Sequence, residues 1–446
     1  MGLRLVSLAG IFVFVTIAWL LSVNRKGVSW RPVVWGLGLQ LVLGAIVLTP
    51  ALQDFFFTVV DGGVRRLLSF AEAGSDFVFQ SVEAHRIDVI TDDGVSTLTV
   101  IGHISPPLRT VAFWILPSII FFSSLMAILY HLRVMQPIIE GIGKLMQRTM
   151  GTSAAESLSA AANIFIGQTE APLVIRPYVA GMTKSELHAV MCGGFATVAG
   201  GVMAAYVGFL RDIPGIAGHL VTASILSAPA ALAISKILYP EDGHPETTGD
   251  AELARNSPYG NVIEAAAHGA TDGMKLAINV AAMLIAFVGL VALLDWMLTL
   301  VPIVFSAEGV AFGWVEAGVH EPLSLARILG WLFFPVALIM GIAPADAAVV
   351  GGLLGEKLVL TEFIAYVDLG AIVNSAEPVI SRRSAIIASY ALCGFANFAS
   401  IGIQLGGIGG IAPERLPDLS RLALRAMTGG FIAACMTGAV VGVFLS

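Results

Sequence analysis

Eight apolar stretches, each long enough to cross a bilayer, determine the solvent in which this chain can fold. A helix needs ~20 mainly apolar residues to span the hydrocarbon core, and residues 4–23, 33–53, 111–131, 187–209, 217–238, 275–301, 384–404 and 424–445 meet that requirement. Charged residues are only 12% of the 446, about half the ~25% of a soluble domain, and mean hydropathy is +0.87. The first run reads as a span and not as a secretion signal, because Arg25 and Lys26 follow the apolar core instead of preceding it. A net charge of -7 with no basic stripe argues against nucleic acid as a partner. Cys192, Cys393 and Cys435 sit in apolar stretches, with neither metal spacing nor a disulfide framework.

Two further apolar stretches, 154–180 and 325–370, are interrupted by Gly, Pro, Glu and Gln. Both read as re-entrant hairpins that enter and leave on one side. Arg25, Lys26, Arg31, Arg133, Lys144, Arg148, Arg176 and Lys184 share one face if the N-terminus lies outside, which makes that face cytoplasmic. Arg382 and Arg383 then fall outside, against the rule. Residues 54–107 read as interfacial helices and a polar loop. Tyr239 to Asn261, with Glu241, Asp242, Glu246, Asp250 and Glu252, reads as a solvated loop. Glu264 and His268, four apart, read as the solvated face of an amphipathic helix. His188, beside Lys184 and Glu186, reads as interfacial.

A repetition is the most informative pattern. Gly194-Phe195-Ala196-Thr197-Val198-Ala199 recurs as Gly394-Phe395-Ala396-Asn397-Phe398-Ala399, each copy inside a span and each following one of the broken segments. Gly193-Gly194 and Gly200-Gly201 are poor helix formers, so the helix is expected to unwind there. Transporters built from inverted repeats place substrate and ions at such discontinuous helices near the midplane. Close helix packing would account for the small residues, but not for Thr197, Asn397 and Ser400 beside them.

Polar residues inside the broken segments point the same way. Insertion of a carboxylate costs at least ~2.5 kcal/mol at the centre of a spanning helix, so such groups face a bundle interior or a cavity. Gln168, Thr169 and Glu170 in succession cannot share one helix face, and they suit a hairpin tip broken by Gly167 and Pro172. In the second segment Glu362 is placed to accept from two vicinal hydroxyls, as on a ribose. Lys357 reads either as its partner or as a side chain snorkelling to the interface.

In order, Gly167-Gln168-Thr169-Glu170-Ala171-Pro172, Met182-Thr183-Lys184-Ser185-Glu186, Gly193-Gly194-Phe195-Ala196-Thr197, Thr361-Glu362-Phe363 and Cys393-Gly394-Phe395-Ala396-Asn397-Phe398 resemble the concentrative nucleoside transporters. The likeness runs from about residue 85 onward, while the N-terminal part resembles the shorter bacterial form in its span pattern. It implies an all-α integral membrane protein of eight transmembrane helices plus two re-entrant helical hairpins, an inverted repeat with two broken helices, assembled as a homotrimer. The division would be 1–135, scaffold spans with interfacial helices; 136–238, a first transport repeat; 239–320, polar loop, amphipathic helix and scaffold span; and 321–446, a second repeat. By the same resemblance Gln168, Thr169 and Glu170, with Val202, would hold the base, and Glu362, Asn397 and Ser400, with Phe395 nearby, the ribose. A sodium site would use the Asn163 side chain, the Thr197 hydroxyl and the carbonyls of Ile166 and Val198, oxygen ligands that suit a hard cation.

The expected function is therefore a secondary symporter, with no cofactor, that imports nucleosides such as uridine with sodium across a bacterial inner membrane. A proton-coupled symporter is the rival reading, with Glu170 or Glu362 as the proton carrier. An intramembrane enzyme lacks the motifs it would need: no His-x-x-x-His, no Gly-x-Ser-x-Gly and no paired aspartates occur in any span. A passive channel does not account for paired broken segments.

Overall fold

The computed structural model describes residues 2–79, 81–91, 94–104, 110–247, 259–301, 303–306, 309–312, 321–375 and 377–445. The chain starts with α1 (Gly2–Leu20) and α2 (Trp30–Leu48), followed by α3 (Pro50–Phe79). Each of the first two buries a single stripe: Ser7, Gly10, Ile11, Phe14 and Ala18 in α1 recur at helical spacing. The predicted span 33–53 stops short at Leu48, because Pro50 cannot continue a helix and starts α3 instead.

Of residues 54–107, expected to form interfacial helices and a polar loop, the first part is helical in α3 and the remainder departs from the expectation. Beyond α3, β1 (Ser81–Thr91) and β2 (Gly94–Ile104) pair antiparallel, with Ser81 opposite Ile104. A second small sheet joins β3 (Ile303–Ser306), β4 (Gly309–Phe312) and β5 (Glu321–Pro322). Helices make up the rest, so the all-α expectation is corrected to a mostly helical fold with two small antiparallel sheets. Val, Ile and Thr in the first sheet, and Ile, Val and Phe in the second, favour extended backbone.

A π-helical turn at Val111–Ile115 leads into α4 (Leu116–His131), then α5 (Met135–Met150). The first broken segment forms a helical hairpin. Its arms are α6 (Ala154–Ala162) and two short helices, α7 (Ala171–Val174) and α8 (Arg176–Val179), with Asn163 to Glu170 as the tip. Ser153 starts α6 with a capping box, accepting from Glu156 N while Glu156 Oε1 accepts from Ser153 N. Thr183 and Glu186 do the same for α9 (Lys184–Ala196). The helix then breaks: Thr197 and Ala199 are extended before α10 (Gly200–Phe209) resumes. Next come α11 (Ile216–Leu238) and α12 (Val262–Thr299). The predicted span 275–301 and the helix of Glu264 and His268 are thus one continuous helix.

The second broken segment is richer than a simple hairpin. It holds α13 (Leu325–Ile339), packed along α14 (Ala347–Val359), and then α15 (Glu362–Val373). Only α14 and α15 enclose the polar tip at Leu360 and Thr361. The predicted span 384–404 is broken into α16 (Arg382–Leu392) and α17 (Phe398–Ile411), and α18 (Leu416–Phe444) closes the chain. Among the described residues seven helical stretches are long and apolar enough to cross a membrane. The eighth predicted span is the α16–α17 pair. At the centre α18 packs on α1, α9, α11 and α16, while α4 packs on α10 and α12.

Candidate functional site

The two broken helices touch each other at their breaks. Gly394 has φ +132°, and a Cβ there would lie 2.7 Å from the carbonyl oxygen of Phe195. Only glycine permits both that backbone and that approach. Gly194 is filled in turn by the hairpin and by α17: a Cβ on it would meet Gln404 Nε2 at 2.7 Å and Gln168 Cβ at 2.9 Å. The two repeats of the sequence therefore meet at one point, with the polar tips around it.

On one side of this crossing lies Glu362, buried at the first position of α15, where the exposed N–H groups of a helix start favour a carboxylate. Its Oε1 accepts from Tyr206 Oη at 2.9 Å and its Oε2 from Asn397 Nδ2 at 2.7 Å. Asn397 is also the N-cap of α17, its Oδ1 accepting from Ser400 N at 2.8 Å. The break in α16–α17 thus frees an amide for the carboxylate while the same side chain starts the next helix. Tyr206 stacks on Tyr366 at 4.0 Å between centroids, fixing α10 against α15. Val202, one turn before Tyr206, is buried, as is Ser400; Phe395 is half-buried.

On the other side is the tip of the first hairpin. Gln168 is buried, and its Oε1 accepts from Gln404 Nε2 at 3.0 Å, a group that also donates to Met191 O. Thr169 is half-buried, its methyl group near Gly407 of α17. Glu170 is exposed, free to meet a ligand from solution.

Behind the tip, Asn163 is completely buried, and its Nδ2 donates to Ser159 O at 3.1 Å. Its Oδ1 is buried with no hydrogen-bond partner among the described residues. An orphaned buried oxygen costs ~1–3 kcal/mol unless something positive meets it. Thr197, at the break of α9, is also buried, its hydroxyl donating to Gly193 O, and a Cβ on Gly193 would lie 3.5 Å from the Asn163 amide. Phe165 O accepts from Gly200 N, and Ile164 O from Ser224 Oγ. The turn carrying Ile166 is therefore pinned against the break carrying Thr197 and Val198. The Asn163 amide and the break at Thr197 are thus neighbours through Gly193, and amide, hydroxyl and carbonyl oxygens are the donor types that a hard cation takes.

Three protein-family models match the chain. Models described as Na+ dependent nucleoside transporter C-terminus and N-terminus match residues 219–442 and 9–82, and one described as a nucleoside-recognition gate matches 112–212. An uncharacterized transporter of Haemophilus influenzae is 39% identical over 451 residues, covering 98% of this chain and 97% of its own. The chain belongs to the Na+-dependent nucleoside transporter family. The relatives it matches are named as transporters. The mouse sodium/nucleoside cotransporter 1 is 42% identical over 98% of this chain, which spans 63% of the mouse protein. CNTnw, solved inward-facing with substrate bound, superposes with a TM-score of 0.84 at 38% identity, covering 99% of this chain and 98% of CNTnw. Structures of substituted CNTnw in outward-facing and intermediate states match as well.

Three further sequence expectations are corrected. His188 is not interfacial: it is buried, its Nδ1 2.7 Å from Ser235 Oγ, in contact with Tyr239. Lys357 neither snorkels nor forms an ion pair with Glu362. It is fully buried, donates to Ala391 O at 2.8 Å and lies 5.9 Å from the Phe431 ring. The loop from Tyr239 is only partly solvated, since Glu241 Oε2 pairs with buried Lys236 at 3.2 Å; Asp250 and Glu252 lie outside the described residues. Tyr206 and Gln404 were missing from the expected site. Each is a polar group one turn beyond an expected residue, Val202 and Ser400, and that helical spacing was the available signal.

Proposed function

We propose that this protein imports nucleosides coupled to the inward flow of sodium, by alternating access. The observation that carries the reading is the fully buried Glu362 carboxylate, held by Tyr206 and Asn397 at the meeting of two broken helices. A carboxylate preset in this way accepts from two vicinal hydroxyls at the moment it gives up its protein donors. Gln168, Thr169 and Glu170, with Val202 as an apolar contact, read the base, while Ser400 and Phe395 complete the ribose side. Sodium takes the orphaned Oδ1 of Asn163, the Thr197 hydroxyl and the carbonyls of Ile166 and Val198. The two hairpins are re-entrant, and the protein works as a homotrimer in a bacterial inner membrane. Residues 136–238 and 321–446 form the transport repeats, and 1–135 and 239–320 form the scaffold. The mouse relative's name, with its sodium and nucleoside, supports the same substrates here.

The test is uptake of labelled uridine into liposomes under an inward sodium gradient, against matched potassium and proton gradients. Sodium-dependent uptake is expected. Uptake driven by protons alone would keep the nucleoside site and remove the sodium site, and no uptake of any nucleoside would overturn the reading.

A further inference from the structure

Two buried amides meet at the tip of the first hairpin, and their donor and acceptor ends can be told apart. Gln404 of α17 is 1% exposed and Gln168 of the tip 6%. A single atom, Gln404 Nε2, lies 3.0 Å from Gln168 Oε1 and 3.0 Å from Met191 O of α9. An amide side chain keeps nearly the same shape when its oxygen and nitrogen are exchanged, so only its partners orient it. Met191 O does so here. A backbone carbonyl only accepts, so the Gln404 atom that faces it has to be the amino group. That group gives one hydrogen to Met191 O and the other to Gln168, so the Gln168 atom that faces it has to be the oxygen. The direction set at one carbonyl of α9 is thus passed through two side chains to the hairpin tip.

Two further contacts bear on why an amide stands at residue 404. Its Oε1 is buried without a hydrogen-bond partner among the described residues. A methionine of similar length would bury no unpaired oxygen there, so packing alone does not favour glutamine. Room for both amides is left by Gly194, the first residue of the repeated motif: a Cβ on it would lie 2.7 Å from Gln404 Nε2 and 2.9 Å from Gln168 Cβ. The hairpin tip, α9 and α17 are therefore built to bring these two side chains together.

What Gln168 has left to offer a ligand is its own amino group. Its oxygen is taken by Gln404. No acceptor for its Nε2 occurs among the described residues, yet that atom is not one of the enclosed, unpartnered ones. We propose that Gln404 is a positioning residue that sets the polarity of base recognition. By holding Gln168 with its oxygen inward it makes the tip a hydrogen-bond donor, and so selects nucleobases that present a carbonyl oxygen over those that present an amino group in its place. This deepens the nucleoside reading of the central site and rests on Gln168 facing the base. Uracil and cytosine differ by such an exchange, as do hypoxanthine and adenine.

The experiment is calorimetric binding to the purified full chain in saturating sodium, with uridine against cytidine and inosine against adenosine. The unsubstituted protein is expected to bind the carbonyl member of at least one pair more tightly by about fivefold or more, the size of one net hydrogen bond. Gln404→Met keeps the length, frees Gln168 to turn, and is expected to bring that ratio to within about twofold of one. Gln404→Glu is the sharper test. Whether ionised or donating its proton to Met191 O, the new carboxyl group accepts from Gln168 and turns it round. The amino member of the pair is then expected to bind more tightly. A merely structural Gln404 would weaken all four nucleosides alike and leave the ratio where it was, which overturns the proposal. So does an unsubstituted protein with no preference in either pair, or a Gln404→Glu variant that keeps the original preference. Failure of the underlying reading is distinguishable. A preference that survives Gln168→Ala would remove Gln168 from the base, and an unsubstituted protein that binds no nucleoside would remove the central site itself.

Discussion

Asn397 shows how one side chain can fix both a helix start and a binding group. Its Oδ1 caps α17 and its Nδ2 holds Glu362. Asn397→Asp separates the two roles, because aspartate still caps but sets a carboxylate against Glu362 where an amide donated. The folded protein is expected to keep its thermal midpoint within a few degrees while nucleoside affinity falls by at least about tenfold, the cost of a lost charge-assisted hydrogen bond or more. Calorimetric binding beside a melting curve checks both. Asn163 offers a parallel test. Its Oδ1 has no partner among the described residues, so Asn163→Ala removes a proposed cation ligand and no protein acceptor. Half-saturating sodium in uridine uptake is expected to rise by about tenfold or more, with nucleoside binding retained in saturating sodium. An unchanged sodium dependence would remove Asn163 from the proposed cation site.

The broken helices are where local structure and function are hardest to separate. Gly394 combines a left-handed φ with a carbonyl 2.7 Å from where a Cβ would lie. Gly394→Ala is therefore expected to destabilise by at least about 2 kcal/mol and to lower the thermal midpoint in detergent, whereas alanine at Gly402, which has nothing within 4 Å, leaves it unchanged. The spans and the break at residues 197–199 were legible in the sequence, because apolar length and small-residue runs are local signals. So were Gln168, Glu362 and Asn397, which carry polarity where lipid forbids it. The separate helix α13 was not, because the whole stretch 325–370 reads as one hairpin, whereas the turn with Gly341 (φ +83°), Pro344 and Asp346 ends one helix and starts another. The strands 81–104 were missed for a related reason: beside so many long apolar runs, a short alternating segment reads as an interfacial loop. Tyr206 became visible only when α10 and α15 were brought together.

At the scale of the molecule, one ionic cluster ties the first hairpin to the body. Lys236 of α11 reaches Glu156 of α6 at 2.8 Å, Glu241 at 3.2 Å and Ser185 of α9 at 3.0 Å, with the lysine and Glu156 almost wholly buried. Removing one member leaves a buried charge alone, which typically costs ~3–5 kcal/mol. Lys236→Met is thus expected to melt well below the parent, and Lys236→Met combined with Glu156→Leu to recover most of the loss. No recovery would mean that the cluster contributes specific geometry beyond charge balance. Because this end of the hairpin is anchored, the tip is the part left to respond to ligands. The short helix α10 then takes on a further meaning. It starts two residues after Val198, at the proposed cation site, and its Tyr206 grips Glu362. A helix that touches both proposed sites can couple them, and any such coupling is reciprocal by linkage: whatever factor sodium adds to nucleoside binding, nucleoside must add to sodium binding. Titrating each in the presence and absence of the other should return the same factor. Tyr206→Phe, which cuts the helix from the carboxylate, should bring both factors down together.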